Sequence, residues 1–300
     1  MSPPATQPLL TLRVLATGMQ PDFAARLREG DALVGAWCTV GHPVVAEVLA
    51  AEPVDFVVLD GEHSENAIGD LADCVRAVDA ANHRASQHAA SPDGDADATA
   101  TATVVRASGP DRAEIKRLLD LGPDGILVPQ VESVADAREA VRASQYPPEG
   151  VRGVAGGRGA DYGRTLDDAV ANANDDVATV VQMETTGAID DADAIAALDG
   201  LDALFVGPAD LSARLGDFGA FDTDAFRASV DTVVDAASTA QGSVAVGTLA
   251  TSPENATPRR EDWGMDFVVA GVDVAYLRDG LTGYLDALDG EDAASVGGGD

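Results

Sequence analysis

Lysine is almost missing from this chain of 300 residues: Lys116 stands alone beside 18 arginines. Schiff-base carbonyl chemistry needs a lysine amine desolvated in the active site. Lys116 lies in DRAEIKRLLDLG, beside Arg117, on the face of a predicted outer helix. A carbonyl substrate handled here must therefore be activated by a metal instead. Cysteine is equally scarce. Cys38 and Cys74 make no disulfide framework, are expected as small buried apolar residues, and fit a reducing cytoplasm. No apolar run approaches the roughly 20 residues of a membrane span. The opening MSPPATQPLLTLRVL has no basic region followed by a long apolar one, so no signal peptide is expected. Bases are few altogether. Nineteen Lys and Arg against 51 Asp and Glu leave a net charge of -32, which a phosphate backbone would repel. No nucleic-acid partner and no membrane association are expected.

What is abundant is aspartate (38, with 13 glutamates), in a chain that is still 46% hydrophobic. That apolar content is too high for disorder. Short hydrated acids in place of lysine suit a cytoplasm of high salt. At about 1 M salt the Debye length is about 3 Å, so carboxylate repulsion is screened. In such a chain an isolated acid says little about function.

Val-rich runs expected as strands lie at 32–40, 54–60, 103–107, 125–131, 177–184, 203–207, 243–249 and 266–270. They are short and mostly apolar, as strands buried on both faces should be. Helical patterns fall near 43–51, 65–82, 111–121, 133–144, 187–197, 223–239, 257–263 and 274–288, with Asp111 and Asp224 as caps or first-turn acids. Eight strands, each followed by a helix, predict an α/β fold: a single (β/α)8 TIM barrel over 1–289. An open doubly wound sheet is the alternative, but the first turn, Thr39-Val40-Gly41-His42-Pro43, lacks its phosphate-binding glycines. Residues 84–101, rich in Ala, Asp and Ser, read as an unstructured surface insertion, and 290–300 as a frayed acidic tail. The Gly-rich run at 153–159 lacks the Lys-Ser/Thr of a phosphate loop.

Barrel chemistry sits at the C-terminal ends of the strands. Strand two ends in Asp60-Gly61-Glu62-His63, strand three at Arg106, strand five in Gln182-Met183-Glu184, and strand six runs into Gly207-Pro208-Ala209-Asp210. Glu184 and Asp210 are candidate ligands for a hard divalent cation (Mg²⁺, Mn²⁺ or Co²⁺) that keeps positions open for substrate oxygens. His63 is a candidate general base with Asp60 orienting its ring. Glu62 either positions water or faces solvent. Arg106, ending an apolar strand, needs an anionic partner: Asp60, Glu184 or, favoured, a substrate carboxylate. His42, His83 and His88 are given no role.

These segments resemble the HpcH/HpaI aldolase family, metal-dependent pyruvate aldolases of the phosphoenolpyruvate/pyruvate barrel superfamily. The likeness runs through VDFVVLDGEHS, VVRAS, EIKRLLDLGPDGILVPQVES, YPPEGVRG, VVQMET, LDALFVGPADLSARLG and FVVAGVD, in order and over nearly the whole chain. LDGEH together with GPADLS is the specific part. The resemblance implies that Glu184 and Asp210 bind the metal, that His63 is the base with Asp60 as partner, and that Arg106 holds the pyruvate moiety. It implies that Gln182 lies near the ketoacid, that backbone amides around Ala209 and Asp210 receive its carboxylate, and that Trp37 shapes aldehyde binding near the mouth. It also implies a hexamer, with the last helix packed on a neighbour.

The sequence departs from the family at the 84–101 insertion, at Gln130 (VPQV for VPMV), at Gly156-Gly157-Arg158-Gly159, which helps frame the aldehyde side, and after Leu249. The implied reaction is reversible cleavage of a 4-hydroxy-2-oxo acid, a 2-keto-3-deoxy sugar acid or 4-hydroxy-2-oxoheptanedioate, to pyruvate and an aldehyde. Two alternatives stay open: a malyl- or citramalyl-thioester lyase, for which no basic patch meets coenzyme A, and a non-catalytic ketoacid-binding barrel.

Overall fold

Phe56, Val58 and Asp60 share one face of their strand, and Val57 and Leu59 the other, because side chains alternate along a strand. That alternation organises the molecule. The computed structural model describes residues 23–89, 100–240 and 242–295. In chain order the elements are α1 (Phe23–Glu29), β1 (Val34–Cys38), α2 (Pro43–Ala50), β2 (Phe56–Asp60), α3 (Ile68–Ala89), β3 (Ala102–Arg106), α4 (Arg112–Leu119), β4 (Gly125–Val128), α5 (Val134–Ser144) and a 3-10 turn (Arg158–Gly163). There follow α6 (Leu166–Asp176), β5 (Ala178–Met183), α7 (Thr186–Asp190), α8 (Ala192–Ala196), β6 (Ala203–Val206), α9 (Pro208–Arg214), α10 (Asp224–Thr239), β7 (Ala245–Ala250), α11 (Pro253–Glu261), β8 (Phe267–Val272) and α12 (Asp273–Ser295). The eight strands pair in parallel, each with its sequence neighbour, and β8 closes on β1. This is the expected (β/α)8 barrel.

Two apolar clusters follow from the alternation. One fills the barrel: Trp37, Phe56, Val58, Val104, Leu127, Val180, Phe205 and Phe267, closed below by Phe23 and Leu27 of α1. Its rings stack in sequence, Phe23 on Phe56 at 5.4 Å and Phe56 on Phe267 at 6.0 Å between centroids. Gly35 and Gly247 make room, since a Cβ at either would overlap the ring of Phe56 or Phe267. The second cluster lies between strands and helices and includes Val57, Leu59, Val105, Ile126 and Val181. Both cysteines are buried and free, and burial pushes their thiols up, Cys74 to about 11.

Four aspartates were hidden among the acids as a structural repeat. Asp55, Asp124, Asp202 and Asp266 each precede an even-numbered strand. Their carboxylates accept the N–H of Val34, Thr103, Thr179 and Val246, the first or second residue of the preceding strand, at 2.7–2.8 Å. They thus satisfy amides at the barrel's lower rim, which would otherwise lose water on burial.

Several expectations need correction. α3 continues to Ala89, so the segment expected to be unstructured from 84 begins as helix. Its other end is pinned, since Asn82 and Thr101 exchange two hydrogen bonds of 2.8 and 2.9 Å; 90–99 lie outside the described residues. α12 carries on through Ser295 where a frayed tail was expected from 290, and 296–300 lie outside the description. The helix expected at 187–197 is broken at Asp191 into α7 and α8. α1, α6 and α9 were not anticipated: α6 (LDDAVANANDD) buries only Ala173, too faint a stripe to read, and α9 starts directly after β6. His42 acquires a structural role, accepting from the Val44 N–H as the cap of α2.

Asp202 is buried, accepts from Thr179 N–H at 2.7 Å and pairs with Arg28 at 2.6 Å. Asp202→Ala strands the Thr179 N–H and removes the ion pair of Arg28, which keeps only the Asp175 carbonyl; it should lower unfolding stability by about 1–3 kcal/mol, measured by chemical denaturation. Asp175→Ala, whose side chain makes neither contact, serves as the control.

Candidate active site

The alternation that fills the barrel with Phe56 and Val58 delivers Asp60 to its upper end. In the same way Val104 leads to Arg106, and Val180 to Gln182 and Glu184. Asp60 and Arg106 are register partners across β2 and β3. Arg106 donates from Nε to Asp60 Oδ1 at 3.0 Å and from Nη2 to Oδ2 at 2.7 Å, a two-pronged pair that is almost fully buried. Burial raises a carboxyl, but here the Arg106 guanidinium outweighs it and holds Asp60 below its ordinary value. Nη1 of Arg106 lies 2.5 Å from Glu62 Oε2, an ion pair without hydrogen-bond alignment. The guanidinium also lies over the Trp37 indole, 4.7 Å from its centre.

This arrangement changes three sequence assignments. Asp60 does not orient the His63 ring: it accepts from the backbone N–H of Glu62 and His63, at 2.9 and 3.3 Å, while its side-chain partners are Arg106 and Trp37. The carboxylate near the imidazole is Glu62, 3.7 Å from Nε2, and the His63 side chain is 66% exposed. Glu62 does not face solvent; its side chain is buried among Arg106, Gln130 and His63. Trp37 is not at the mouth. It is 4% exposed, donates to Asp60 Oδ2 at 3.3 Å, packs on Phe205, and forms the floor under Arg106.

Glu184 lies just past β5 with no exposed surface. Its Oε1 accepts from the Gln130 backbone N–H at 2.8 Å and its Oε2 from the Gln182 amide. Burial pushes its carboxyl up to about 7. The charges of Glu62 and Asp210 add to the rise, and the two hydrogen bonds only partly oppose it. Asp210 sits in the first turn of α9, which no side chain caps; Pro208 supplies no N–H, and Leu211 N–H already bonds Gly207. The amides of Ala209 and Asp210 are left without an intrahelical partner. Gly207 preserves the space here, because a Cβ would come within 2.7 Å of Glu184 Oε2. Gln182 is buried, and its Oε1 has no hydrogen-bond partner.

The predicted residues thus gather at one end of the barrel in two halves. Asp60, Glu62, His63 and Arg106 follow β2 and β3; Gln182, Glu184 and Asp210 follow β5 and β6. Gln130 joins them, and sequence reasoning noted it only as a departure. Held at a φ of 56°, it bonds Glu184 through its backbone, Glu62 through Nε2 at 3.3 Å and Arg214 through Oε1 at 3.1 Å. The Gly156–Gly159 stretch belongs elsewhere in this chain. It packs on Asp120 and Gly122 where the chain enters β4, at the opposite end of the barrel.

The donors fit a hard divalent cation. They are carboxylate oxygens without thiol or imidazole, and one of them is buried among like charges. Among the described residues no three His, Cys, Asp or Glu side chains form a closed metal cluster. Mg²⁺-type ions are commonly held by one or two carboxylates while keeping several waters.

Comparison with known proteins gives the family of the chain. The pattern of the HpcH/HpaI aldolase/citrate lyase family matches residues 33–279. The hydroxypyruvate/pyruvate aldolase of Delftia acidovorans is 36% identical over 264 residues, 88% of this chain and 90% of that protein. The 2-keto-3-deoxy-L-rhamnonate aldolase of Klebsiella pneumoniae is 34% identical over 263 residues, 86% of this chain and 90% of that protein. A solved HpcH/HpaI family protein of Burkholderia cenocepacia superposes with a TM-score of 0.79 at 33% identity, covering 90% of this chain and 99% of that one. Likeness of this extent, in sequence and in barrel alike, places the chain in the HpcH/HpaI aldolase/citrate lyase family.

Proposed function

We propose that the gathered residues cleave a 4-hydroxy-2-oxo acid reversibly to pyruvate and an aldehyde, with Glu184 and Asp210 holding a divalent cation. The aldolase relatives make the chain a carbon–carbon lyase of the class II pyruvate aldolase type. The observation that carries the assignment of ligands is Glu184: a wholly buried carboxyl pushed to about 7 beside two further carboxylates, with Gly207 keeping space against it.

Bound there, a divalent cation supplies Lewis-acid stabilisation for negative charge growing on the 2-oxo group. The chain does the rest. The exposed His63 imidazole, beside Glu62, takes the proton of the C4 hydroxyl. The C3–C4 bond breaks, C4 becomes the aldehyde carbonyl, and the electron pair remains on C3 as the enolate of pyruvate. A proton returning to C3 completes the product. Arg106 provides a fixed positive charge near the enolate, and Asp60 positions it from below. The free amides of Ala209 and Asp210 receive the substrate carboxylate. Gln182 donates to Glu184 and so fixes that carboxylate beside the ketoacid. The substrates favoured are 2-keto-3-deoxy sugar acids and 4-hydroxy-2-oxoheptanedioate, in a cytoplasm of high salt.

α12 supports assembly into a homo-oligomer, a hexamer by family likeness. Leu277, Leu281, Tyr284, Leu285 and Leu288 are all exposed and recur at helical spacing along one stripe. Such a stripe fits the surface of a second copy of the chain.

Three outcomes test the proposal. Pyruvate release in molar KCl should require Mg²⁺, Mn²⁺ or Co²⁺ and stop with EDTA. Glu184→Gln and Asp210→Asn should each lower metal-dependent kcat/KM at least about a hundredfold, the scale of a few kcal/mol. Full turnover by either variant in EDTA would refute the ligand assignment. The second outcome concerns pH. A carboxyl at about 7 is protonated below that pH, and the proton competes with the cation. Metal affinity by titration calorimetry should fall up to about tenfold per pH unit below 7 and level off above it. The third is size: Leu281→Asp with Leu285→Asp should reduce the particle mass by light scattering, against an unchanged mass if α12 lies outside the interface.

A further inference from the structure

Two arginines stand near the mouth, and their surroundings differ. Arg106 is buried, and Asp60 and Glu62 answer its charge. Arg214, at the end of α9, has a side chain 39% exposed. Its hydrogen-bond partner is a neutral amide, the Gln130 Oε1, at 3.1 Å from Nη2. The nearest carboxylate, that of Glu132, is 4.0 Å from Nη1 and itself 69% exposed, beyond hydrogen-bond reach. A guanidinium carries five N–H donors in a planar fork. Gln130 occupies one and leaves others for a second planar acceptor.

Gln130 also fixes where that fork stands. Its backbone N–H bonds Glu184 Oε1, and its side chain bonds Glu62 and Arg214. One glutamine therefore separates the guanidinium from the carboxylate assigned to the metal. That is the reach of a short carbon chain extending from a ketoacid held at Glu184. Gln130 is also where the sequence departs from VPMV of the family, so this clamp is a property of the chain in hand.

We propose that Arg214, aimed by Gln130, is a specificity-determining residue that binds a carboxylate on the aldehyde half of the substrate. The assignment rests on the aldolase reading and names the end of the substrate that reading leaves open. The excess of acid over the rest of the surface makes the contrast sharper: an anionic tail is repelled elsewhere and paired at Arg214. A bidentate carboxylate–guanidinium contact discriminates by charge and by shape.

The test compares two 4-hydroxy-2-oxo acids of equal length, one ending in a carboxylate and one in the corresponding carboxamide. Pyruvate release gives kcat/KM for each with the metal-loaded protein and with Arg214→Ala and Arg214→Lys. The carboxylate-over-carboxamide ratio should be about tenfold or more in the native protein at the lowest KCl concentration at which circular dichroism shows it folded. It should fall towards one in Arg214→Ala, take an intermediate value in Arg214→Lys, and shrink as KCl is added, because the site is partly exposed. Deuterium exchange at the methyl group of pyruvate, a half-reaction without aldehyde, reports whether each variant keeps the ketoacid side intact. A native ratio near one, or a ratio unchanged in Arg214→Ala while exchange persists, overturns the assignment. If the native protein releases pyruvate from neither compound, the aldolase reading itself fails and takes this assignment with it.

Discussion

The buried pair of Asp60 and Arg106 sets the mouth of this barrel. Two strands in register bring a carboxylate and a guanidinium face to face, and both prongs of the contact are made. Breaking such a pair by removing one partner costs about 3–5 kcal/mol, because it leaves a buried charge unanswered. Other features then follow. Trp37 is trapped as the floor beneath the guanidinium, Glu62 is drawn inward to its third nitrogen, and His63 is left pointing outward with Glu62 as neighbour. The imidazole stands at the open side because the acid beneath it is already engaged.

Much of this was legible in the strand pattern. Strand parity and polar strand ends together single out Asp60, Arg106, Gln182 and Glu184 without any coordinates. Barrel closure follows from eight buried Val-rich runs. The local pairing was not legible, because proximity in sequence does not say which of two acids an imidazole meets. Asp60 lies three residues before His63 but belongs to Arg106, a partner 46 residues away. Trp37 misled for a related reason: parity places it inside the barrel, yet its depth depends on the shear between β1 and β2. Gln130 gave no signal of its own, since its role is carried by a backbone N–H and by a left-handed φ that a glutamine seldom adopts.

The aspartates show where composition conceals structure. A chain with 38 of them invites reading them all as solvated surface. Asp55, Asp124, Asp202 and Asp266 instead recur before every second strand as acceptors for strand amides. Each stands in a short context of its own (VDF, PDG, LDA, MDF), so the repeat shows only once the strands are aligned in the barrel. The acidic surface and the barrel architecture use the same residue for opposite purposes, one hydrated and one satisfying strand amides.

The two halves of the mouth are electrically unequal, and that inequality indicates where a cation belongs. After β2 and β3, Arg106 answers Asp60 and Glu62. After β5 and β6, Glu184 and Asp210 face no guanidinium at hydrogen-bond distance among the described residues. Glu184 receives two hydrogen bonds, both favouring its charged form, yet burial and its neighbours still carry it from the ordinary 4.5 to about 7. That gap corresponds to about 3 kcal/mol against ionisation. A divalent cation between these carboxylates would reverse the sign of the local field and offset that cost. The Gly207 space and the Gln130 and Gln182 hydrogen bonds hold the Glu184 carboxyl in one orientation, so such a cation would meet a positioned group.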